Sequence, residues 1–295
     1  MSELIAAQSP QVYTMLSDLW TLTKPRLSML VIITAGGGYW LAGSTDLISG
    51  ILAVGGTTLV VAAANVLNNY LERESDKDMA RTAVRPLPTG RMTPSVALLF
   101  GVLLTAISIP LLTFGANPLT GLLASVALVL YVLVYTPMKR VSSMNTLIGA
   151  VPGALPPLIG WTAATGSIEV GGMLLFALLF LWQIPHSLAI CIYRQKEYDS
   201  AGLVVLPSEH GLDVTRRQML LYTFALVPLP LLMFQAGIAG LPTLLVGTGL
   251  GAWWLRKAWR GFSHSSGSVW ARKFFLASLL YLSGMFAILT VDVWI

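Results

Sequence analysis

Apolar runs of about 20 residues recur along the chain, separated by short polar segments. Each can cross a hydrocarbon core of about 30 Å at 1.5 Å of rise per residue. Unbroken runs of this kind fit helices, not the alternating strands of a barrel. Nine spans are predicted, near 28–44, 48–70, 94–113, 118–136, 146–164, 171–192, 217–236, 239–256 and 274–294. The segment GAVPGALPPLIG at 149–160 is the one least suited to a straight helix.

Charge placement tests that count. Nine spans leave ten exterior segments, which must alternate between the two sides. The N-terminal tail and the loops near 71–93, 137–145, 193–216 and 257–273 hold all 18 Lys and Arg residues. The other set holds none, and contains Asp46, Glu169 and Asp292. Under the positive-inside rule the N-terminus and the large loops face the cytoplasm. The expected fold is an all-α integral membrane protein of one polytopic domain, 1–295. Residues 1–22 would form a tail or an interfacial segment.

Composition agrees: 55% of residues are apolar and 11% charged, with a mean hydropathy of +0.74. The net charge of +5 reflects topology and attraction to anionic lipid headgroups, and no nucleic-acid surface is indicated. No cleavable signal is apparent, and the lone Cys191 is expected to be a buried, inert thiol.

One stretch departs from this economy of charge. Residues 68–92 read NNYLERESDKDMARTAVRPLPTGRM, directly after the uncharged VGGTTLVVAAANVL. Asn68, Glu72 and Asp76 follow an i, i+4, i+8 spacing and would line one face if the second span continues past Tyr70. Two carboxylates and a carboxamide offer the hard oxygens that Mg²⁺ prefers, with phosphate oxygens and water completing its shell. Arg81, Arg85 and Arg91 follow closely and suit phosphate. A solvated loop whose charges only fix topology is the competing reading. It accounts for the bases and leaves the acids beside Asn65, Asn68 and Asn69 unexplained. From spacing alone both readings stand.

A second polar group, Gln183, His186, Tyr193, Arg194, Glu197, Tyr198 and Asp199, falls at the end of the sixth span. Lys139 and Arg140 enter from the loop after the fourth. All three groups lie on the same side and are expected to converge on one cytoplasm-facing cavity. Such a cavity suits a substrate with a diphosphate head and a hydrocarbon tail.

The stretch at 68–92 resembles the N-x-x-x-D-x-x-x-D and R-T-x-x-R-P-L segment of the UbiA-type intramembrane prenyltransferases. LTKPRLSML at 22–30, YTPMKR at 135–140, NTLIGAVPGALPPLIGW at 145–161, LWQIPHSLAICIYRQKEYDSAG at 181–202 and TRRQMLLYT at 215–223 resemble one branch, the protohaem IX farnesyltransferases or haem O synthases. Two departures stand out. Glu72 occupies the place of a common middle Asp. Tyr193 and Glu197 stand where quinone-type members carry a second Asp-rich motif, which puts a second Mg²⁺ in doubt.

The resemblance implies farnesyl transfer from farnesyl diphosphate to a vinyl group of haem b at a multi-pass inner membrane, with loops 71–93 and 193–216 over the active site. It implies Mg²⁺ on Asn68, Glu72 and Asp76. Arg85, Lys139, Arg194 and Glu197 would assist the chemistry, with Arg81, Arg140, Gln183, His186, Tyr193 and Tyr198 contacting substrate. His186 is open between a haem contact and an ordinary helix-interface histidine. Trp161 and Trp182 are open between pocket lining and interfacial anchoring. Membrane lipids and a haem-modifying or terminal oxidase are the expected partners. Prenylation of an aromatic quinone precursor or a chlorin is the nearest alternative, and a transporter is the alternative of another class.

Overall fold

The structure is a computed structural model that describes residues 9–262 and 267–292. Among the described residues it contains helices and no strands. In chain order they are α1 (Ser9–Leu22), α2 (Pro25–Leu41), α3 (Leu47–Glu72), α4 (Pro94–Gly115), α5 (Pro118–Val129), α6 (Thr136–Met138) and α7 (Asn145–Thr165). There follow α8 (Val170–Tyr193), α9 (Gln195–Ser200), α10 (Leu206–Glu209), α11 (Gly211–Leu226), α12 (Leu229–Gln235), α13 (Leu241–Trp259) and α14 (Ser268–Asp292). Residues 1–8 and His264 lie outside the described part.

Seven helical stretches among the described residues are long and apolar enough to cross a membrane. They are α3, α4, Pro118–Met138, α7, α8, Gly211–Gln235 and α14. The other two expected spans correspond to α2, a shorter apolar helix of 17 residues, and α13, of 19.

Helix α7 runs unbroken through Pro152, Pro156 and Pro157, although the sequence singles it out as the segment least suited to a straight helix. Its surroundings explain the difference: 67% of its most apolar stretch is buried, the largest share of the seven. Neighbouring helices cover a backbone interrupted by proline, which lipid would not. Helix α7 packs on α2 and α8 and belongs to both main apolar clusters, one with α8, α11, α13 and α14, the other with α3, α4 and α5. Its crossing with α2 depends on two glycines. A Cβ on Gly38 would strike the Pro157 carbonyl oxygen, and one on Gly160 would strike that of Ala35.

Candidate active site

Helix α3 ends at Glu72, and Asp76 is carried by a separate 3₁₀ turn, Ser75–Asp78. The expectation of one continuous helical stripe is therefore corrected. Asp76 is nevertheless buried, 1% exposed, and lines the same cavity as Asn68 and Glu72. The turn is fixed by Thr82 Oγ1, which donates to the Asp76 carbonyl at 2.7 Å.

The cavity has a volume of about 380 Å³. Lys24, Arg81, Arg85, Lys139, Gln183 and Tyr198 also line it, with Tyr131, Tyr135 and the Leu203–Val205 segment. Residues from the turn before α2, the end of α3, the 3₁₀ turn, the end of α6 and the 193–216 loop thus meet at one end of the bundle. The charge alternation in the sequence assigns these segments to a single side.

Each of the three oxygen-bearing residues is held by a different base. Lys24 Nζ donates to Asn68 Oδ1 at 2.9 Å, Lys139 Nζ to Glu72 Oε1 at 2.7 Å and Arg85 Nη1 to Asp76 Oδ2 at 2.6 Å. The orientation of the Asn68 amide is set from behind, because its Nδ2 donates to Thr136 Oγ1 at 3.1 Å. Thr136 follows a π-helical turn, Leu130–Tyr135, and its hydroxyl reaches back to the Tyr131 carbonyl at 2.8 Å. Such turns re-aim side chains at functional sites. This one brings Tyr131 and Tyr135 to the cavity, and Lys139 Nζ lies 4.5 Å from the Tyr135 ring centroid.

Lys24 enters the site from outside the polar groups that the sequence points to. It is the one described non-glycine residue with positive φ (φ 51, ψ 54), directly ahead of Pro25. A left-handed backbone costs such a residue about 1–2 kcal/mol. The Asn-rich end of α3 holds the turn in place. Asn65 Nδ2 donates to the Thr23 carbonyl at 3.1 Å and to Ser28 Oγ at 3.0 Å, and Asn69 Nδ2 to the Leu22 carbonyl at 3.1 Å. Loss of solvent, reinforced by Arg85 and then Lys139, lowers the Lys24 pKa to about 7. Burial raises that of Tyr198 to about 12, so its phenol keeps its proton as a donor near neutral pH.

The second polar group, carried by α8 and α9, divides between two clefts. Gln183, Ser187, Ile190 and Cys191 line the cavity, and Gln183 is fixed by donation from Nε2 to the Ala150 carbonyl at 2.6 Å. Cys191 is a free, buried thiol. Tyr193, Arg194 and Glu197 instead line a separate cleft with Arg272 and Phe275. The expected convergence on one cavity therefore fails for these three: Tyr193 follows Cys191 by two positions, about 200° around α8, and Arg194 and Glu197 lie beyond the end of that helix. Glu197 still bridges the two regions: Arg194 Nη1 lies 2.8 Å from Oε2 and Arg81 Nε 3.7 Å from Oε1. Arg140 is exposed and lies beside Lys139 in a smaller cleft.

His186 also faces away from the cavity, between the rings of Trp182 and Phe275 at 4.5 and 4.7 Å. Its Nδ1 lies 2.6 Å from Ser278 Oγ on α14, and that hydroxyl donates to the Phe275 carbonyl at 2.6 Å. The serine hydroxyl thus lies between the imidazole and a backbone carbonyl of α14. At Nδ1 this is a helix-interface histidine. Trp182 donates to the Ser278 carbonyl at 2.7 Å and Trp161 to Glu169 at 3.0 Å, both from buried positions outside the cavity.

An apolar pocket of about 240 Å³ adjoins the polar cavity, lined by Thr57, Val60, Val61 and Ala64 of α3, Ala127 and Leu128 of α5, and Pro156 and Ile159 of α7. Lys24, Tyr131 and Gly153 line both. From Asn65 to Thr57 the pocket follows α3 for about 12 Å. A polar head site opening into a hydrocarbon-lined slot is the shape of a site for a lipid diphosphate.

Three comparisons agree with that geometry. The model of the UbiA prenyltransferase family matches residues 30–280. A protoheme IX farnesyltransferase of Myxococcus xanthus is 50% identical over 97% of this chain and 98% of its own length. A UbiA homologue from Aeropyrum pernix K1 shares the fold at TM-score 0.74 and 20% identity, over 91% of this chain and 98% of its own. A UbiA homologue from Archaeoglobus fulgidus bound to GPP and Mg²⁺ does so at TM-score 0.68 and 16% identity, over 92% and 99%. The chain therefore belongs to the UbiA prenyltransferase family, on its protohaem IX farnesyltransferase branch.

Proposed function

We propose that the chain transfers the farnesyl group of farnesyl diphosphate to a vinyl group of haem b, with addition of water, giving haem O and diphosphate. The observation that carries this reading is the junction of a polar cavity, with paired acids and bases, and an apolar slot. The 50% identical relative supports haem as the acceptor.

The donor set fits Mg²⁺. Asn68, Glu72 and Asp76 present hard oxygens to one cavity, and all are already oriented toward cations. Bound there with the diphosphate, the metal supplies charge neutralisation for the leaving group. Arg85 and Lys139, now on Asp76 and Glu72, are placed to turn to phosphate oxygens. Arg81 stands at the mouth and Tyr198 offers a phenolic donor. The apolar slot holds the farnesyl chain and keeps water from the allylic carbon.

As the allylic C–O bond breaks, its electron pair leaves with the diphosphate. The vinyl π-electrons then form the new C–C bond. Water adds to the resulting cation beside the porphyrin ring and loses a proton, leaving the hydroxyl group. No side-chain nucleophile is needed.

The reading extends to nine transmembrane helices, with α2 and α13 as the two shorter spans. It places the N-terminus and the active site on the cytoplasmic side of the inner membrane. Arg194, Glu197, Tyr193 and His186 are assigned to the α8–α14 side, where Arg194 and Arg272 suit carboxylates. Arg140 is assigned to the cavity rim, and contact with an oxidase that uses the product belongs to the same proposal.

The test is an acceptor competition in membranes containing the chain, farnesyl diphosphate and Mg²⁺. Haem b is expected to become a later-eluting haem O while hydroxybenzoate and naphthoate acceptors stay unmodified. Prenylation of those acceptors with haem b unchanged would overturn the assignment.

A further inference from the structure

Among the described residues, Lys24 is the only charged one lining both the polar cavity and the apolar slot. On the reading that these hold a prenyl diphosphate, its head lies on one side of Lys24 and its chain on the other. The bond that breaks, between the allylic carbon and the bridging oxygen, then falls at the junction. Arg85 and Lys139 are engaged with Asp76 and Glu72, and they line the head cavity but not the slot.

The fold goes to some trouble over this lysine. Its backbone is left-handed, and Asn65 and Asn69 hold the Leu22 and Thr23 carbonyls before it and the Ser28 hydroxyl after it. A lysine serving only as a topology signal needs no such anchoring, since any exposed base near the membrane surface would do. Of its three N–H bonds one goes to Asn68 Oδ1, and no second hydrogen bond from Nζ is found among the described residues.

We propose that Lys24 is a catalytic residue that exchanges Asn68 for the bridging oxygen of the prenyl diphosphate when the divalent cation takes up Asn68. The ammonium then donates a hydrogen bond to the oxygen that receives the electron pair of the breaking C–O bond. No proton is transferred: the diphosphate leaves with the pair, and the acceptor's vinyl group supplies the electrons of the new bond. The exchange makes Lys24 a competitor of the metal before substrate binds and a partner of the leaving group afterwards.

These two roles have opposite signatures. The full chain in detergent, as wild type, K24M and K24R, is titrated with Mg²⁺ alone and then, at saturating Mg²⁺, with 2,3-dihydrofarnesyl diphosphate, a non-allylic analogue that does not ionise and keeps the bridging oxygen. Single-turnover release of diphosphate from farnesyl diphosphate is followed in parallel. K24M is expected to bind Mg²⁺ as tightly as wild type or more so, to bind the analogue about 10-fold or more weakly, and to release diphosphate about 100-fold more slowly. K24R is expected to recover much of the analogue affinity.

Equal weakening of Mg²⁺ and analogue by K24M would mean a structural role and overturn the proposal, as would unchanged analogue binding and release. Wild type that shows the predicted split yet leaves haem b unconverted would sink the haem assignment and leave the role of Lys24 standing. Wild type that binds no analogue would sink both.

Discussion

At the scale of the residue, the site is a set of matched pairs. Asp76 is 2% exposed at its side chain and is balanced by Arg85 at 2.6 Å. Asp76→Asn keeps the shape, removes the charge and leaves Arg85 without its partner. We expect Mg²⁺-dependent diphosphate release to fall by about 100-fold or more, read as kcat in a coupled phosphate assay; release within a few-fold of wild type would remove Asp76 from the metal set. Thr136→Val should act one step back, freeing the Asn68 amide to turn. The expected result is a weakening of Mg²⁺ affinity by about 10-fold, as for other groups that orient a ligand, with a smaller effect on kcat. The sequence showed Asn68, Glu72 and Asp76 because four-residue spacing is visible in one dimension. It did not show Lys24, 44 positions before Asn68 in the chain, because the approach depends on a turn held by Asn65 and Asn69. Tyr131, Tyr135 and Lys139 are also four apart, a signal that could have flagged the two tyrosines.

At the scale of the element, hydropathy locates the helices well and their ends less so. The sequence predicts the second span over 48–70 and α3 covers Leu47–Glu72, but the step from helix to 3₁₀ turn before Asp76 leaves no mark in hydropathy. Likewise the π-helical turn at Leu130–Tyr135 reads as ordinary apolar sequence. Helix α7 shows the opposite limit: its prolines suggest interruption, and burial keeps the helix whole. Because the α2–α7 crossing leaves no room beside backbone carbonyls, Gly38→Ala or Gly160→Ala should destabilise by about 1–3 kcal/mol. A lower thermal midpoint in detergent would report it, whereas Gly55→Ala, which meets no neighbour, should leave the midpoint unchanged. Chain length is set at the same scale. Val61→Phe fills the apolar slot and should spare dimethylallyl diphosphate while weakening farnesyl diphosphate, measured by competition between the two.

At the scale of the whole molecule, two apolar clusters meet on α7, and the charged segments gather at one end of the bundle. That grouping was legible from the alternation of Lys and Arg, since it reflects insertion and not tertiary detail. The division of the second motif between two clefts was not, because the end of α8 and the turn into α9 depend on what packs around them. Sidedness can be read directly because the only cysteine is buried. In a chain carrying Lys77→Cys, an impermeant maleimide should label only after lysis. With Ile168→Cys it should label intact spheroplasts, and the reverse pattern would invert the topology. The central claim is that this bundle uses a metal-bound diphosphate head site to join farnesyl to haem. The most direct measurement is a reaction of the purified chain with haem b and farnesyl diphosphate, in which haem O and diphosphate are counted together. The account predicts equal amounts of the two, abolished by chelation of Mg²⁺ and by Asp76→Asn. Haem O formed at an undiminished rate without divalent metal, or diphosphate released with no haem product, would contradict it.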